Sequence, residues 1–455
     1  MKRMGSGNIF AARWLRVGLG ATCMAAGISL SAQTQRKLPA KPPATSSARE
    51  KEDPLAPLLQ QANDAVDKMD FAAALDPLQK YIGQRPDSAY AHFQLGYAYA
   101  GLKRAEDAKN EFSRAVAIDP KMAAAHLNLG LVLMDSDAAA AAESFLRTAE
   151  LQPTESRPRF LAGFSLEHAG RLPEAIEQYR AALALSPNDY EAHFALGRTL
   201  LRSKDAAGAE GQFRAAIAAR GDAVPARLGL VNALAAQKKY QETSDALAEY
   251  LRLNPGDRPA HFDRASALLN LGKYDDVLAE LDLASVGAVP SGEILKMRGE
   301  VYMQQKKWTD AASALTQAAS LAPQDIEISE WLGHSDIELK DYPAAIRILG
   351  QVYSQNPESA EVLRDLANAF FLNDDYAAAL GAMDRLAKVE TPKPGSWFVR
   401  AICYDKLSRK AEAIEAYQKF LDQDGGQHDT QDFQARHRIL TLQGELGQSA
   451  KKQKQ

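Results

Sequence analysis

Histidine suits metal binding and proton transfer near neutral pH. It recurs here at His92, His126, His193 and His261, close to whole multiples of one fixed step along the chain. A functional ladder of imidazoles would hold a metal or relay protons. Zinc needs its ligands at ~2 Å, whereas residues one structural repeat apart are separated by at least one interhelical spacing, on the order of 10 Å. The four histidines are therefore read as packing positions, and no metal site is expected. The chain contains no H-E-x-x-H, G-x-S-x-G, phosphate-binding glycine loop or C-x-x-C. Gly163-Phe164-Ser165 and Gly333-His334-Ser335 read as helix crossings rather than nucleophile turns. Arg220-Gly221-Asp222 matches an adhesion tripeptide but falls where a turn between units is expected. The carboxylates are spread along the chain as solvated faces rather than paired in a cleft. No catalytic residue and no cofactor is expected.

The helices that would carry these residues follow a strict rhythm. Stop residues fall at Pro86, Pro120, Pro153, Pro187, Gly221, Pro255, Val289, Pro323, Pro357, Thr391 and Gly425, spaced by 34 except for one step of 33 between Pro120 and Pro153. Within the unit that begins at Ala89, Leu95 and Gly96 are residues 7 and 8, Tyr99 is 11, Ala108 is 20, Phe112 is 24, Ala115 is 27 and Pro120 is 32. Residue 8 stays small through most units, as Ala62, Gly96, Gly130, Gly163, Gly197, Ala265, Gly299, Gly333, Ala367 and Ala401, with Val231 in the sixth. Small side chains let two antiparallel helices approach closely, larger ones fill the space around the crossing, and proline stops the second helix.

This pattern resembles the tetratricopeptide repeat, a helix–turn–helix unit of about 34 residues. The resemblance covers residues 55–425, with units starting near 55, 89, 123, 156, 190, 224, 258, 292, 326, 360 and 394. It implies an all-α, right-handed solenoid of eleven units, because a single hairpin cannot bury its apolar face alone. Units six and seven, with Val231, Thr243 and Val277 at normally small positions, are expected to pack more loosely or to change the local curvature. Pro77, inside a second helix, should kink it. After Gly425-Gly426, residues 426–447 read as a capping helix with one polar face, itself N-capped by Asp429 or Thr430, and 448–455 as a disordered basic tail.

The resemblance also implies a site. In the family, residues 2, 5, 9, 12 and 13 of each unit line a concave groove that takes extended or helical peptides. Carried over, these are Tyr90, Phe93 and Tyr97, then Leu127, Leu131 and Met134, then Phe160 and Phe164 with Glu167 and His168 at the rim, then Phe194 and Leu201, and Phe262. Aromatic and aliphatic side chains supply most of the energy at protein interfaces. The residue-5 aromatics equally fit a role in supporting the helix beneath them. Later units present Glu293, Lys296, Glu300, Glu327, Glu330 and Glu338, an acidic stretch. Arg364 and Asn368 match only half of a carboxylate clamp, since Gly395 and Val399 stand opposite.

Residues 1–32 read as a secretory signal, with an Arg-rich organelle transit peptide as the rival. Lys2, Arg3, Arg13 and Arg16 precede or flank an apolar stretch from Val17 to Leu30, with cleavage expected after Ala32. Residues 33–54, rich in Pro, Ser and charge, read as a disordered linker. Cleavage would leave 50 Lys+Arg against 58 Asp+Glu, a net charge of about −8, which disfavours a nucleic-acid partner. Only Cys403 would remain, so no intramolecular disulfide is expected. The sequence thus predicts an exported, non-catalytic scaffold that binds a protein or peptide in its groove. The alternatives are a spacer subunit of an envelope assembly, gripped by its convex face, and a carrier of cell-wall glycan.

Overall fold

The computed structural model describes residues 54–452. The signal and most of the linker expected from the sequence lie outside these residues. Among the described residues there are 23 helices and no strands. The chain divides after Gly256 into two compact units.

The first unit holds α1 (Ala56–Asp67), α2 (Phe71–Gln84), α3 (Ala89–Gly101), α4 (Ala105–Ile118), α5 (Ala123–Leu133) and α6 (Ala138–Leu151). It continues with α7 (Ser156–His168), α8 (Leu172–Leu185), α9 (Tyr190–Arg202), α10 (Ala206–Ala219), α11 (Val224–Ala236) and α12 (Tyr240–Leu253). The second unit holds α13 (Arg258–Asn270), α14 (Tyr274–Ala284), α15 (Gly292–Gln304), α16 (Trp308–Leu321), α17 (Ile326–Glu338) and α18 (Tyr342–Gln355). It ends with α19 (Ala360–Leu372), α20 (Tyr376–Val389), α21 (Pro394–Lys406), α22 (Lys410–Asp424) and the terminal α23 (Asp429–Lys452). From α1 to α22, odd and even helices pair as hairpins, and within each unit successive hairpins stack.

Local chemistry sets these boundaries. Many helix starts are capped by Asp or Ser side chains that accept from backbone N–H groups three residues on, as Ser88 does from Ala91 and Asp205 from Gly208. Second helices stop two residues before the stop proline, at Gln84 before Pro86 and at Ile118 before Pro120. Inside every hairpin but one, the turn uses a single left-handed residue, always residue 15 of the unit. It is glycine at Gly170 and Gly272, but Met69, Lys103, Lys204, Lys238, Lys306, Lys340, Asp374 or Ser408 elsewhere. The shortened unit between Pro120 and Pro153 lacks this left-handed residue: α5 is two residues shorter than α3, and Met134 after it is right-handed.

The crossings explain residue 8. A Cβ placed on Gly96 would come within 2.8 Å of the Phe112 ring, and one on Gly333 within 2.5 Å of Leu349. Residue 8 is therefore a flat seat for residue 24 of the same hairpin. In unit six the seat is Val231, and residue 24 is Leu247 where Phe213 or Tyr179 stands in earlier units. Val231, Thr243 and Leu247 are all fully buried. Within this hairpin a larger seat thus faces a smaller occupant and both are covered, while the division of the chain into two compact units falls directly after unit six, at Gly256. Thr243 also satisfies its hydroxyl by donating to the Lys239 carbonyl at 2.8 Å. Unit seven departs in another way: α14 stops at Ala284, and Val289, expected to stop the helix, stands in the loop beyond it. Pro77 does not end or interrupt α2, which runs through it with the proline ring buried in the core.

Helix α23 closes the last hairpin with Ala435 and Leu442, both fully buried. It begins at Asp429, so Asp429 and Thr430 sit inside its first turn rather than before it, and it reaches Lys452 rather than fraying at residue 448. No helix among the described residues is long and apolar enough to cross a membrane.

Candidate partner-binding face

In the first unit, the residues assigned to the groove lie on α3, α5, α7 and α9. Their environments divide them. Phe93 is 1% exposed and packs against the Phe112 ring, 5.8 Å between centroids. It is a core residue and offers nothing to a partner. Tyr90 is half-buried and tied down: its hydroxyl donates to Asn63 Oδ1 at 3.0 Å and accepts from Gln94 Nε2 at 2.7 Å. Tyr97 is half-buried, edge-on to Phe71, and burial followed by the nearby Asp67 carboxylate raises its phenol above the usual range. Leu127, Leu131 and Met134 are half-buried, each resting on the core on one side only.

Phe160 rests on Tyr179, with centroids 5.7 Å apart. Phe164 is half-buried and lies against the exposed His168, 4.2 Å between centroids. Phe194 lies between Tyr190, parallel to it, and Phe213. Leu201 is half-buried and packs on the same core. Residue 5 thus takes the supporting role over its own second helix wherever it is aromatic in this unit. The partly open apolar surface comes mainly from residues 9 and 12.

The sequence places Glu167 at the rim. The structure buries it to 2% exposure, with Arg198 donating at 2.8 Å, Arg202 at 2.7 Å and the Tyr179 hydroxyl at 3.1 Å. Burial works against its charge, but the two guanidiniums, Arg198 foremost, hold its carboxyl below the usual range. Glu167 is a buried tie between α7, α8 and α9. The signal that could have found it is Arg198 at residue 9 of the next unit, where Tyr97, Leu131 and Phe164 stand in the units before. Arg220 of the adhesion-like tripeptide lies over the Tyr190 ring at 3.9 Å, so its guanidinium is engaged within the fold.

In the second unit, Phe262 is buried in the core. The acidic stretch falls on α15 and α17. Lys296 pairs with Asp325 at 2.7 Å and Glu327 at 2.6 Å; burial works against its charge, and the two carboxylates nonetheless raise its pKa. Glu300, one turn further along α15, is pushed up to about 7 by burial and then by Glu327. Glu330 is raised by burial and then by Glu361 and Glu327. His334 is raised in turn, chiefly by its bond to Asp365 at 3.0 Å. Arg364 pairs with Glu390 at 2.9 Å, which occupies the one cation of the half-clamp. Among the described residues, no group of His, Cys, Asp or Glu has the arrangement of a metal site.

Sequence models of the tetratricopeptide repeat match residues 59–121, 102–156, 194–258, 262–326 and 373–428, more than half of the chain. The chain is a tetratricopeptide repeat protein. A second such model matches 336–394, and a TPR repeat model matches 168–203. No curated protein matches the chain. Solved structures similar to this tetratricopeptide repeat chain include a crystal structure of MamA protein, 20% identical over 37% of this chain and 92% of that one, TM-score 0.35. Another is MamA 41-end from Desulfovibrio magneticus RS-1, 20% identical over 38% and 97%, TM-score 0.35. A third is YrrB, described as a TPR protein with an unusual peptide-binding site, 19% identical over 41% and 97%, TM-score 0.37.

Proposed function

We propose that this tetratricopeptide repeat protein is an exported, non-catalytic scaffold that binds a protein or peptide along its first helices. The reading is carried by the half-buried apolar row of Tyr97, Leu131, Met134, Phe164 and Leu201, on or just after successive first helices of the first unit. Tyr97, Leu131, Met134 and Leu201 rest on the core with the rest of the side chain open, and Phe164 lies against His168 with its ring half-open. Such residues are already positioned by packing, so ordering them on binding costs little conformational entropy. In the second unit the carboxylates of Glu300 and Glu330 would favour a segment bearing lysine or arginine. A basic segment would lower the pKa of Glu300, which burial and Glu327 push up to about 7, and so gain affinity as pH rises towards that value.

The export reading rests on the basic, apolar and small-residue order of residues 1–32. N-terminal sequencing of protein recovered from cell fractions tests it. An unprocessed chain in the cytosol would overturn it.

The groove is tested by affinity capture from an envelope extract, comparing the mature protein with a Tyr97/Leu131/Phe164 triple serine variant of unchanged circular dichroism. Loss of a stoichiometric polypeptide from the variant alone supports the groove. Equal capture by both assigns binding to the convex face, and recovery of polysaccharide in place of polypeptide overturns the peptide reading.

A further inference from the structure

Helix α23 is the last element of the second unit, and its inner face is fully specified. Ala435 and Leu442 are buried, Arg438 donates to both carboxylate oxygens of Asp405 at 2.6 and 2.8 Å, and Lys410 pairs with Glu445 at 2.9 Å. These contacts decide which side of the helix looks outward. The sequence predicts a polar outer side. It instead carries Phe433, 72% exposed, and Leu440, 69% exposed, two turns apart on one stripe. The His437 ring, also exposed, lies parallel to Phe433 with centroids 6.3 Å apart.

Further along the same stripe stand Gly444 and Gly447. A Cβ on either would meet no atom within 4 Å, so nothing inside the chain calls for glycine there. Glycine in a helix interior is unfavourable relative to alanine. Its use here fits a close approach from outside.

We infer that α23 pairs antiparallel with the α23 of a second copy of this chain, with the two-fold axis passing through Leu440. In that register Leu440 meets its counterpart, Phe433 lies over Gly447, and Arg436 lies over Gly444. Large side chains enter the notches left by glycine, as in ridge-into-groove packing. The charges agree with this direction. Parallel pairing would stack Arg436 on Arg436 and Asp429 on Asp429. One stripe carries both the knobs and the notches, which is what an isologous two-fold contact requires and what an unrelated partner would not need.

Sedimentation equilibrium of the full chain across a micromolar series tests this. The wild type is expected to self-associate, and Phe433→Glu and Leu440→Glu to weaken association by about tenfold or more without loss of circular dichroism. Gly447→Phe, which fills the notch, should weaken it too, and Phe433→Gly combined with Gly447→Phe should restore it. Mild oxidation should link Leu440→Cys into dimers far faster than Phe433→Cys. A wild type that stays monomeric, association indifferent to both glutamates, or equal cross-linking at 433 and 440 would overturn the proposal.

Discussion

The Nδ1 of His92 lies 2.6 Å from Oε2 of Glu111, joining a first helix to its own second helix. The other ring nitrogen lies 3.1 Å from the carbonyl of Pro86, in the turn that leads into the unit. Later units repeat the arrangement. His193 reaches Gln212 at 2.8 Å and the Pro187 carbonyl at 2.8 Å, and His126 reaches the Pro120 carbonyl at 3.1 Å. Arg159 donates to Gln178 at 3.3 Å, and Arg227 to the Gly221 carbonyl at 2.8 Å. Residue 4 is a polar brace as well as a packing position, which is why histidine recurs there. His92→Leu should cost about 1–3 kcal/mol by leaving these acceptors without donors, and His92→Gln less. Urea unfolding of the two variants measures it, and an unmoved midpoint would show the brace to be idle.

Glu300 sets a pH dependence of unusual sign. Its carboxyl is pushed up to about 7 by burial first and Glu327 second, against the pull of Lys296. A carboxyl that holds its proton more tightly when folded contributes fully below its unfolded value near 4.5, and its contribution falls as pH rises to about 7. Asp336, pushed up to about 6 by burial and then Asp341, acts in the same direction. Glu300→Gln should therefore gain over wild type as pH rises from 4.5 to 7 and hold that gain above 7, on the order of 1–3 kcal/mol. Thermal unfolding under acidic and mildly alkaline conditions should show a variant advantage only at the higher pH.

The Glu167 tie predicts a larger loss. Glu167→Ala would strand Arg198, Arg202 and the Tyr179 hydroxyl together, at roughly 3–5 kcal/mol for breaking a buried ion pair. Denaturant unfolding checks the magnitude. Retained stability would mean that the guanidiniums find water instead. Replacing Arg202, the more exposed partner, should cost much less.

At the third crossing, a Cβ on Gly130 would sit 2.7 Å from the Phe145 ring. Gly130→Leu should overpack it by roughly 1–3 kcal/mol. Stacked repeats couple mainly to their neighbours, so hydrogen exchange should accelerate from α3 to α8 and leave α11 and α12 unchanged. Acceleration spread evenly over the chain would contradict this.

Much of the fold was legible because its causes are local. A small residue 8, an apolar residue 24 and a stop proline each act within one hairpin, and repetition removes ambiguity. The left-handed residue 15 was missed because glycine marks it only at Gly170 and Gly272; at Lys103 or Lys306 the turn imposes the conformation on a side chain that does not favour it. The site was read less well. Phe93, Phe164 and Phe262 share an aromatic character in sequence, but the structure buries the first and last and leaves Phe164 half-open. Glu167 looked like a rim carboxylate, since its two arginines belong to the next unit.

A stack of helical hairpins of the tetratricopeptide type is specified one hairpin at a time, because helix periodicity, capping and small crossing residues are properties of neighbours along the chain. Packing between hairpins settles the rest: which apolar side chains remain open, which charges are neutralised, and that the closing helix turns Phe433 and Leu440 outward. Those outcomes depend on what the adjacent hairpin places against each side chain. That proximity in space is not written in any single repeat.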